Sequence, residues 1–186
     1  MKSIKLVILN IVIIILLVLF IFPITYVNGE KGAEDYYLEG KDYYIKGLYD
    51  QAIESFTKAI KLNNNLADAY ISRGHAYAIK PNPDLNQAIS DFDQAIKINP
   101  LEDNGFTGRG IAYARLHQLD KAISDFNEAI KLNPQNALAY SFRGMAYCNK
   151  KDFSKAWQDV DKARSLGLEP PPEFMEILKK YSGREK

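Results

Sequence analysis

The pattern of apolar and polar positions divides the chain into two unlike parts. Residues 6–27 form an apolar run with few polar side chains, and the stretch from Ile11 to Phe22 contains none. From about residue 33 onward, apolar residues recur every three or four positions between charged ones, which is the spacing of an amphipathic helix. The pattern therefore predicts a hydrophobic N-terminal helix followed by an all-α region.

Two phrases recur in the second part at a nearly constant spacing. The first has an aromatic residue, then Arg-Gly, then Ala-Tyr, at 70–77, 106–113 and 140–147, with a degenerate copy at 36–43. The second places Ala, a large apolar residue and Ala on one helical stripe, at 52–59, 88–95, 122–129 and 156–163. The period is 34 residues, except in the second copy, which has 36. We therefore predict four repeats, at 33–66, 67–102, 103–136 and 137–170.

Each repeat is predicted to be a pair of short antiparallel helices. Polar residues that favour a helix N-cap stand between the two phrases of every copy: Asp50, Asn86, Asp120 and Ser154. Neither helix buries its apolar stripe alone, so neighbouring repeats must stack. Residues 171–181 are predicted to form a capping helix over the last repeat, with an apolar stripe of Phe174, Ile177, Leu178 and Tyr181.

The apolar N-terminal run is long enough to cross a membrane. Its 22 residues from Leu6 to Val27 span about 33 Å as a helix, against about 30 Å for a hydrocarbon core. Lys2 and Lys5 precede the run, which places the N-terminus in the cytoplasm and the repeats outside. Residues 1–29 are thus predicted to be an uncleaved signal anchor of a single-pass membrane protein. A cleaved signal peptide, which would give a secreted or periplasmic protein, is the alternative.

Composition and motifs argue against catalysis, cofactors and nucleic acid. The 24 Lys and Arg residues are scattered among 23 Asp and Glu residues, whereas nucleic-acid binding favours a basic stripe. Cys148, His75 and His117 lie in no metal-ligand spacing, and the chain has no glycine-rich phosphate loop. We therefore predict no catalytic residue, no metal, no cofactor and no small-molecule substrate.

The repeated phrases resemble those of the tetratricopeptide repeat (TPR) family. The aromatic, Gly, Tyr, Ala, Phe, Ala and Pro positions of that family correspond to Tyr70, Gly74, Tyr77, Ala88, Phe92, Ala95 and Pro100 in the second copy. The resemblance implies a right-handed superhelical α-solenoid of stacked helix pairs. Arg takes the place of the family's usual Leu in three copies, and each of these copies carries an Asp in its second helix. We predict interhelical ion pairs between them: Arg73–Asp91, Arg109–Asp125 and Arg143–Asp159.

The resemblance also implies where a partner would bind. In the family, the first helices of successive repeats line a concave groove, and a few fixed positions of each repeat contact the ligand. Tyr37 and Tyr44 are the preferred anchors, because tyrosine is enriched at interface hot spots. The predicted groove residues are Tyr37, Lys41, Tyr44, His75, Ile79, Thr107, Ile111, Arg115, Ser141, Met145 and Asn149.

The function predicted from this groove is that of a non-enzymatic scaffold or adaptor, which binds a partner protein or peptide outside the cytoplasm. The alternative is a structural subunit of a membrane complex, in which the repeats space or stabilise the assembly.

Overall fold

A computed structural model describes residues 31–183, and within that range the protein is entirely helical. Eight helices form four consecutive pairs, and a ninth follows the last pair. They are α1 (Ala33–Ile45), α2 (Tyr49–Leu62), α3 (Ala67–Ile79), α4 (Leu85–Ile98), α5 (Asp103–Arg115), α6 (Leu119–Leu132), α7 (Ala137–Asn149), α8 (Phe153–Ser165) and α9 (Pro172–Ser182).

The helices stack in chain order as a solenoid. The two helices of each pair contact each other, each second helix contacts the first helix of the next pair, and neighbouring first helices also touch. Contacts of this kind, made only with near neighbours, are typical of repeat proteins. The prediction of an all-α array of stacked helix pairs is confirmed for the described residues.

A large side chain from the second helix fills the centre of each pair. Phe56, Phe92 and Phe126 are completely buried in the first three pairs, and Val160 takes their place in the fourth. A glycine of the first helix lies beneath each phenylalanine; a Cβ atom on Gly110, for example, would stand 2.7 Å from Cε1 of Phe126. The recurring small and large positions therefore exist because one helix must approach the ring of the other closely.

The second helices begin two residues earlier than predicted. Asp50, Asn86, Asp120 and Ser154 lie at the second position of their helices, so none of them is the N-cap. Among the second helices, the N-caps that use a side chain are instead Asp84, which accepts from the Gln87 amide, and Asp152, which accepts from the Lys155 amide. The prediction failed because a half-buried apolar or aromatic residue already occupies the first helical position in every copy.

Helix α9 covers the end of the array with a different face from the one predicted. Phe174, Met175 and Leu178 are buried, whereas Ile177 is 50% exposed and Tyr181 is 61% exposed. The Trp157 indole donates a hydrogen bond to the Ser182 hydroxyl at 2.9 Å, which ties the end of α9 to α8. The helix is thus rotated so that Met175 replaces the two more C-terminal apolar residues in the contact.

The predicted single-pass membrane localisation is corrected. Among residues 31–183, no helix combines the length and the apolar character needed to cross a bilayer. The apolar run on which the prediction was based, and with it the predicted hydrophobic helix and signal segment at 1–29, lies outside the described residues. Membrane localisation therefore has no support in the structure, and secretion after signal cleavage stays a prediction.

Candidate functional site

The first helices of the four pairs form one continuous surface. Helix α1 contacts α3, α3 contacts α5, and α5 contacts α7. We call the outward side of these four helices the first-helix face. Nine of the eleven predicted groove residues keep part of their side chain accessible on it, and two do not.

At the N-terminal end of this face, two tyrosines of α1 pack against aromatic side chains of α2. The Tyr37 ring lies 5.9 Å from the Phe56 ring, and the Tyr44 ring meets Tyr49 edge-on at 5.7 Å between centroids. The Lys41 ammonium lies 5.4 Å from the centroid of the Tyr37 ring, within cation–π range. Burial, assisted by the neighbouring Tyr49, raises the pKa of Tyr44. Both tyrosines are half-buried, so they are held in place while their remaining surface can meet a ligand.

The middle of the face combines a half-buried histidine with exposed apolar surface. The His75 ring packs edge-on against Phe92 at 5.1 Å, and burial lowers the pKa of His75. Ile79 is 44% exposed, while Ile111 is half-buried against the core of the third repeat. The Arg115 guanidinium donates to the backbone carbonyl of Ala78 at the C-terminal end of α3, so it bridges the second and third repeats.

Thr107 and Ser141 are not available to a ligand, which corrects two of the predicted groove positions. Each is only 3% exposed. The Thr107 hydroxyl donates to the Asp103 carbonyl at 2.9 Å and accepts from the Asn136 side-chain amide at 2.9 Å. Thr107 lies in the junction between the third and fourth repeats, where the Asn136 side chain covers it.

The C-terminal end of the face opens into a pocket. Met145 is half-buried and packs on the core of the last repeat, and Asn149 is exposed. Beside them lies a cavity of about 480 Å³, which we call the C-terminal pocket; it is lined by Cys148, Asn149, Lys151, Phe153, Ile177 and Tyr181. The sequence prediction did not name Lys151, Phe153, Ile177 or Tyr181 as lining residues. It placed the last two in the buried contact of the capping helix.

The predicted ion pairs between helices are present in three copies. The Arg109 Nε and Nη2 atoms donate to the two carboxylate oxygens of Asp125 at 2.8 and 2.7 Å. Its Nη1 atom donates to Asp93 of the preceding repeat at 2.6 Å, and the hydrogen bond with Asp125 raises the pKa of Arg109. Equivalent two-point contacts join the other two pairs, Arg73–Asp91 and Arg143–Asp159. These groups belong to the packing of the solenoid, and their geometry points to no ligand.

The described residues hold no metal cluster, and their cysteine thiol is buried. Residues 31–183 contain no group of three or more His, Cys, Asp or Glu side chains placed to hold a metal ion. The Cys148 thiol is 7% exposed, and burial raises its pKa. A thiol of this kind is a weak nucleophile, since the thiolate is the reactive form.

The fold and this face define a repeat solenoid with an extended ligand-accessible surface, and sequence comparison identifies its family. Residues 40–79 match the family model of the TPR repeat, and residues 104–136 match that of the tetratricopeptide repeat. No curated protein matches the chain. The chain is a tetratricopeptide repeat protein.

Solved structures show the same architecture. MamA is 27% identical over 82% of this chain and 81% of its own, with a TM-score of 0.64. YrrB, described as a TPR protein with an unusual peptide-binding site, is 25% identical over 81% of this chain and 74% of its own, with a TM-score of 0.63. The first TPR of Spaghetti (RPAP3), bound to an HSP90 peptide, is 24% identical over 64% of this chain and 93% of its own, with a TM-score of 0.61. At that identity, the last likeness shows the fold alone.

Proposed function

We propose that this protein is a non-enzymatic scaffold that binds a partner protein or peptide along the first-helix face. The observation that carries the proposal is the row of accessible tyrosine, isoleucine and methionine side chains on four first helices that lie side by side. Aromatic and aliphatic groups held on a rigid base bind an apolar partner with little loss of side-chain entropy. In this proposal the repeats are residues 33–66, 67–102, 103–136 and 137–170, residues 171–181 close the array, and the face curves as the inner side of a right-handed superhelix.

Two further points support a peptide or an extended protein segment as the ligand. The accessible groups are spread over all four repeats, so a compact ligand could contact only part of the face. In addition, YrrB, which has 25% identity to this chain, is described as having a peptide-binding site. An extended or helical peptide is the kind of ligand that a long apolar groove accommodates.

The test begins with selection of peptides from a random display library against the full chain. The affinity of the selected peptides is then measured by fluorescence anisotropy for the wild type and for Tyr37→Ala combined with Tyr44→Ala. We expect the double variant to bind at least tenfold more weakly, because each lost tyrosine contact at an interface hot spot contributes about 1 kcal/mol or more. The helical circular dichroism of the double variant is recorded to verify folding.

The matched control removes apolar surface away from the face. Leu62 ends a second helix and Leu101 lies in an interrepeat turn, and they are 59% and 78% exposed. Leu62→Ala with Leu101→Ala should leave the peptide affinity unchanged. Failure to select any binding peptide, or equal affinity of the tyrosine variant and the wild type, would reject the proposed function.

A further inference from the structure

The C-terminal pocket differs from the rest of the first-helix face in its construction. The face elsewhere is built from first helices, whereas this pocket is closed on one side by Ile177 and Tyr181 of α9. These two side chains are half or more exposed, although they belong to the same helix that buries Phe174 and Leu178. The helix that covers the end of the core thus leaves a second apolar edge outside it, facing the end of the row of first helices.

The lining of the pocket suits one large apolar side chain. Phe153 and Ile177 supply apolar walls, Cys148 contributes a buried thiol, and Tyr181 adds an aromatic ring. A volume of about 480 Å³ is more than a phenylalanine or leucine side chain fills, so a neighbouring backbone segment has room to enter with it. Burial of such a side chain contributes about 1.5–3 kcal/mol, which is enough to anchor a peptide.

The charge around the pocket favours an acidic residue beside that apolar side chain. None of the six lining residues is acidic, and one of them is Lys151. A second ammonium group, that of Lys180, lies 5.3 Å from the centroid of the Tyr181 ring. A carboxylate next to the anchor would therefore approach two cationic side chains, while a basic neighbour would be repelled.

The net charge of the array also becomes more positive towards the C-terminal pocket. Residues 32–102 carry eleven Asp and Glu against seven Lys and Arg, whereas residues 137–183 carry six against eight. On the first-helix face itself, exposed Glu34 and Asp68 belong to the first two repeats. The described solenoid is thus negative towards its first repeat and positive towards its last, so it favours one orientation of a ligand whose own charges are separated.

On the basis of the proposed function, we propose that the C-terminal pocket binds a large apolar side chain of a peptide whose adjacent residue is acidic. The acidic end of the ligand then lies at the fourth repeat and α9, and the less acidic or basic end lies along the first two repeats. This assigns to α9 a share in ligand binding in addition to covering the core.

The test uses defined peptides rather than an unknown partner. Four fluorescein-labelled Gly-Ser peptides of about a dozen residues carry Phe-Glu, Phe-Lys, Ser-Glu or Ser-Lys near one end, and their affinity for the full chain is measured by anisotropy. We expect Phe-Glu to bind most tightly, about tenfold tighter than Ser-Glu, since burial of the Phe ring is lost in the latter. It should bind about three- to tenfold tighter than Phe-Lys, because exposed charge pairs contribute modestly.

A charge exchange then locates the binding site. Lys151→Glu should weaken Phe-Glu and strengthen Phe-Lys, so that the order of the two peptides reverses. Lys61→Glu is the matched control, because it makes the same change at an exposed position on α2, outside the first-helix face, and it should leave the order unchanged. Ile177→Ala should reduce the affinity for both Phe peptides several-fold, whereas Leu101→Ala, at an exposed position in a turn, should not.

Two outcomes would overturn this inference. Either the four peptides bind equally, or Lys151→Glu and Lys61→Glu alter the order of affinities to the same extent. If display-selected peptides still depend on Tyr37 and Tyr44 in that case, the proposed scaffold function stands and only the assignment of the C-terminal pocket is lost.

Discussion

The pair formed by Arg109 and Asp125 gives the sharpest test of how the solenoid is held together. Asp125 is nearly buried, with 8% of its side chain exposed, and it receives two hydrogen bonds from a guanidinium that is 20% exposed. Breaking a buried pair by removing one partner typically costs about 3–5 kcal/mol, because the remaining charge stays desolvated. Arg109 also has Asp93 at 2.6 Å and some contact with water, so we expect Asp125→Ala to lose about 2–3 kcal/mol.

The neighbouring carboxylate provides a control on the same guanidinium. Asp93 is 46% exposed and makes a single contact with Arg109, and exposed pairs of this kind contribute about 0.2–1 kcal/mol. Asp93→Ala should therefore have a much smaller effect than Asp125→Ala. A third variant, Arg109→Leu with Asp125→Leu, replaces the buried pair by apolar groups and should come within about 1 kcal/mol of the wild type.

The free energy of unfolding is measured by urea titration with circular dichroism at 222 nm. A shift of the midpoint at constant slope reports stability itself rather than a change in the unfolded chain. Equal losses for Asp125→Ala and Asp93→Ala would refute the argument from burial. A double Leu variant as unstable as Asp125→Ala would show that the pair is required for more than the satisfaction of a desolvated charge.

Three further predictions concern the core and pH. Gly110→Ala would place a Cβ atom 2.7 Å from Phe126 and should cost about 1–3 kcal/mol by overpacking. Gly32→Ala, at the N-cap of α1 with its nearest contact at 3.6 Å, should cost less in the same urea titration, about 0.5 kcal/mol. Leu178→Ala, at a completely buried site, should cost about 2–5 kcal/mol; a loss below 1 kcal/mol would show that α9 is not docked. Burial lowers the folded-state pKa of His75, so the unfolded chain binds the proton first and stability should fall as pH drops below about 6.5, by no more than about 1.4 kcal/mol at pH 5.5. That part of the pH dependence should be absent from His75→Gln; an identical slope between pH 7.5 and 5.5 would exclude His75 as its source.

The features that could be predicted from the sequence are those that repeat. One phenylalanine recurs with the period of the array, as Phe56, Phe92 and Phe126. Its burial could be predicted because the two helices of every copy pack together in the same way. The same holds for the arginine and aspartate pairs, whose members stand at fixed positions of successive copies. A residue type that recurs at the same position in three copies gives three independent indications of its role, whereas a motif that occurs once gives only one.

The features that could not be predicted occur once or depend on how closely two repeats approach. Helix α9 has no second copy, and its sequence contains two overlapping apolar stripes; only the shape of the last repeat selects Met175 over Ile177 and Tyr181. Thr107 and Ser141 fill groove positions in the family pattern, yet both are buried, and Thr107 is held by Asn136, the N-cap of α7. Local spacing determines which face of a helix is apolar, but it does not determine what lies against that face.

At the junction between the second and third repeats, glycines that lower the helix propensity of α5 also allow the two repeats to pack closely. Helix α5 contains three glycines, Gly105, Gly108 and Gly110, each of which disfavours a helix by about 1 kcal/mol relative to Ala. A Cβ atom on Gly108 would overlap the Phe92 ring of the preceding repeat, so its absence lets α5 lie directly on that ring. The same junction is crossed by Arg109, through its bond to Asp93, and by Arg115, through its bond to the Ala78 carbonyl. The lower helix propensity of α5 is thus offset by close packing and two charged cross-links, which join the acidic and the basic parts of the array into one surface.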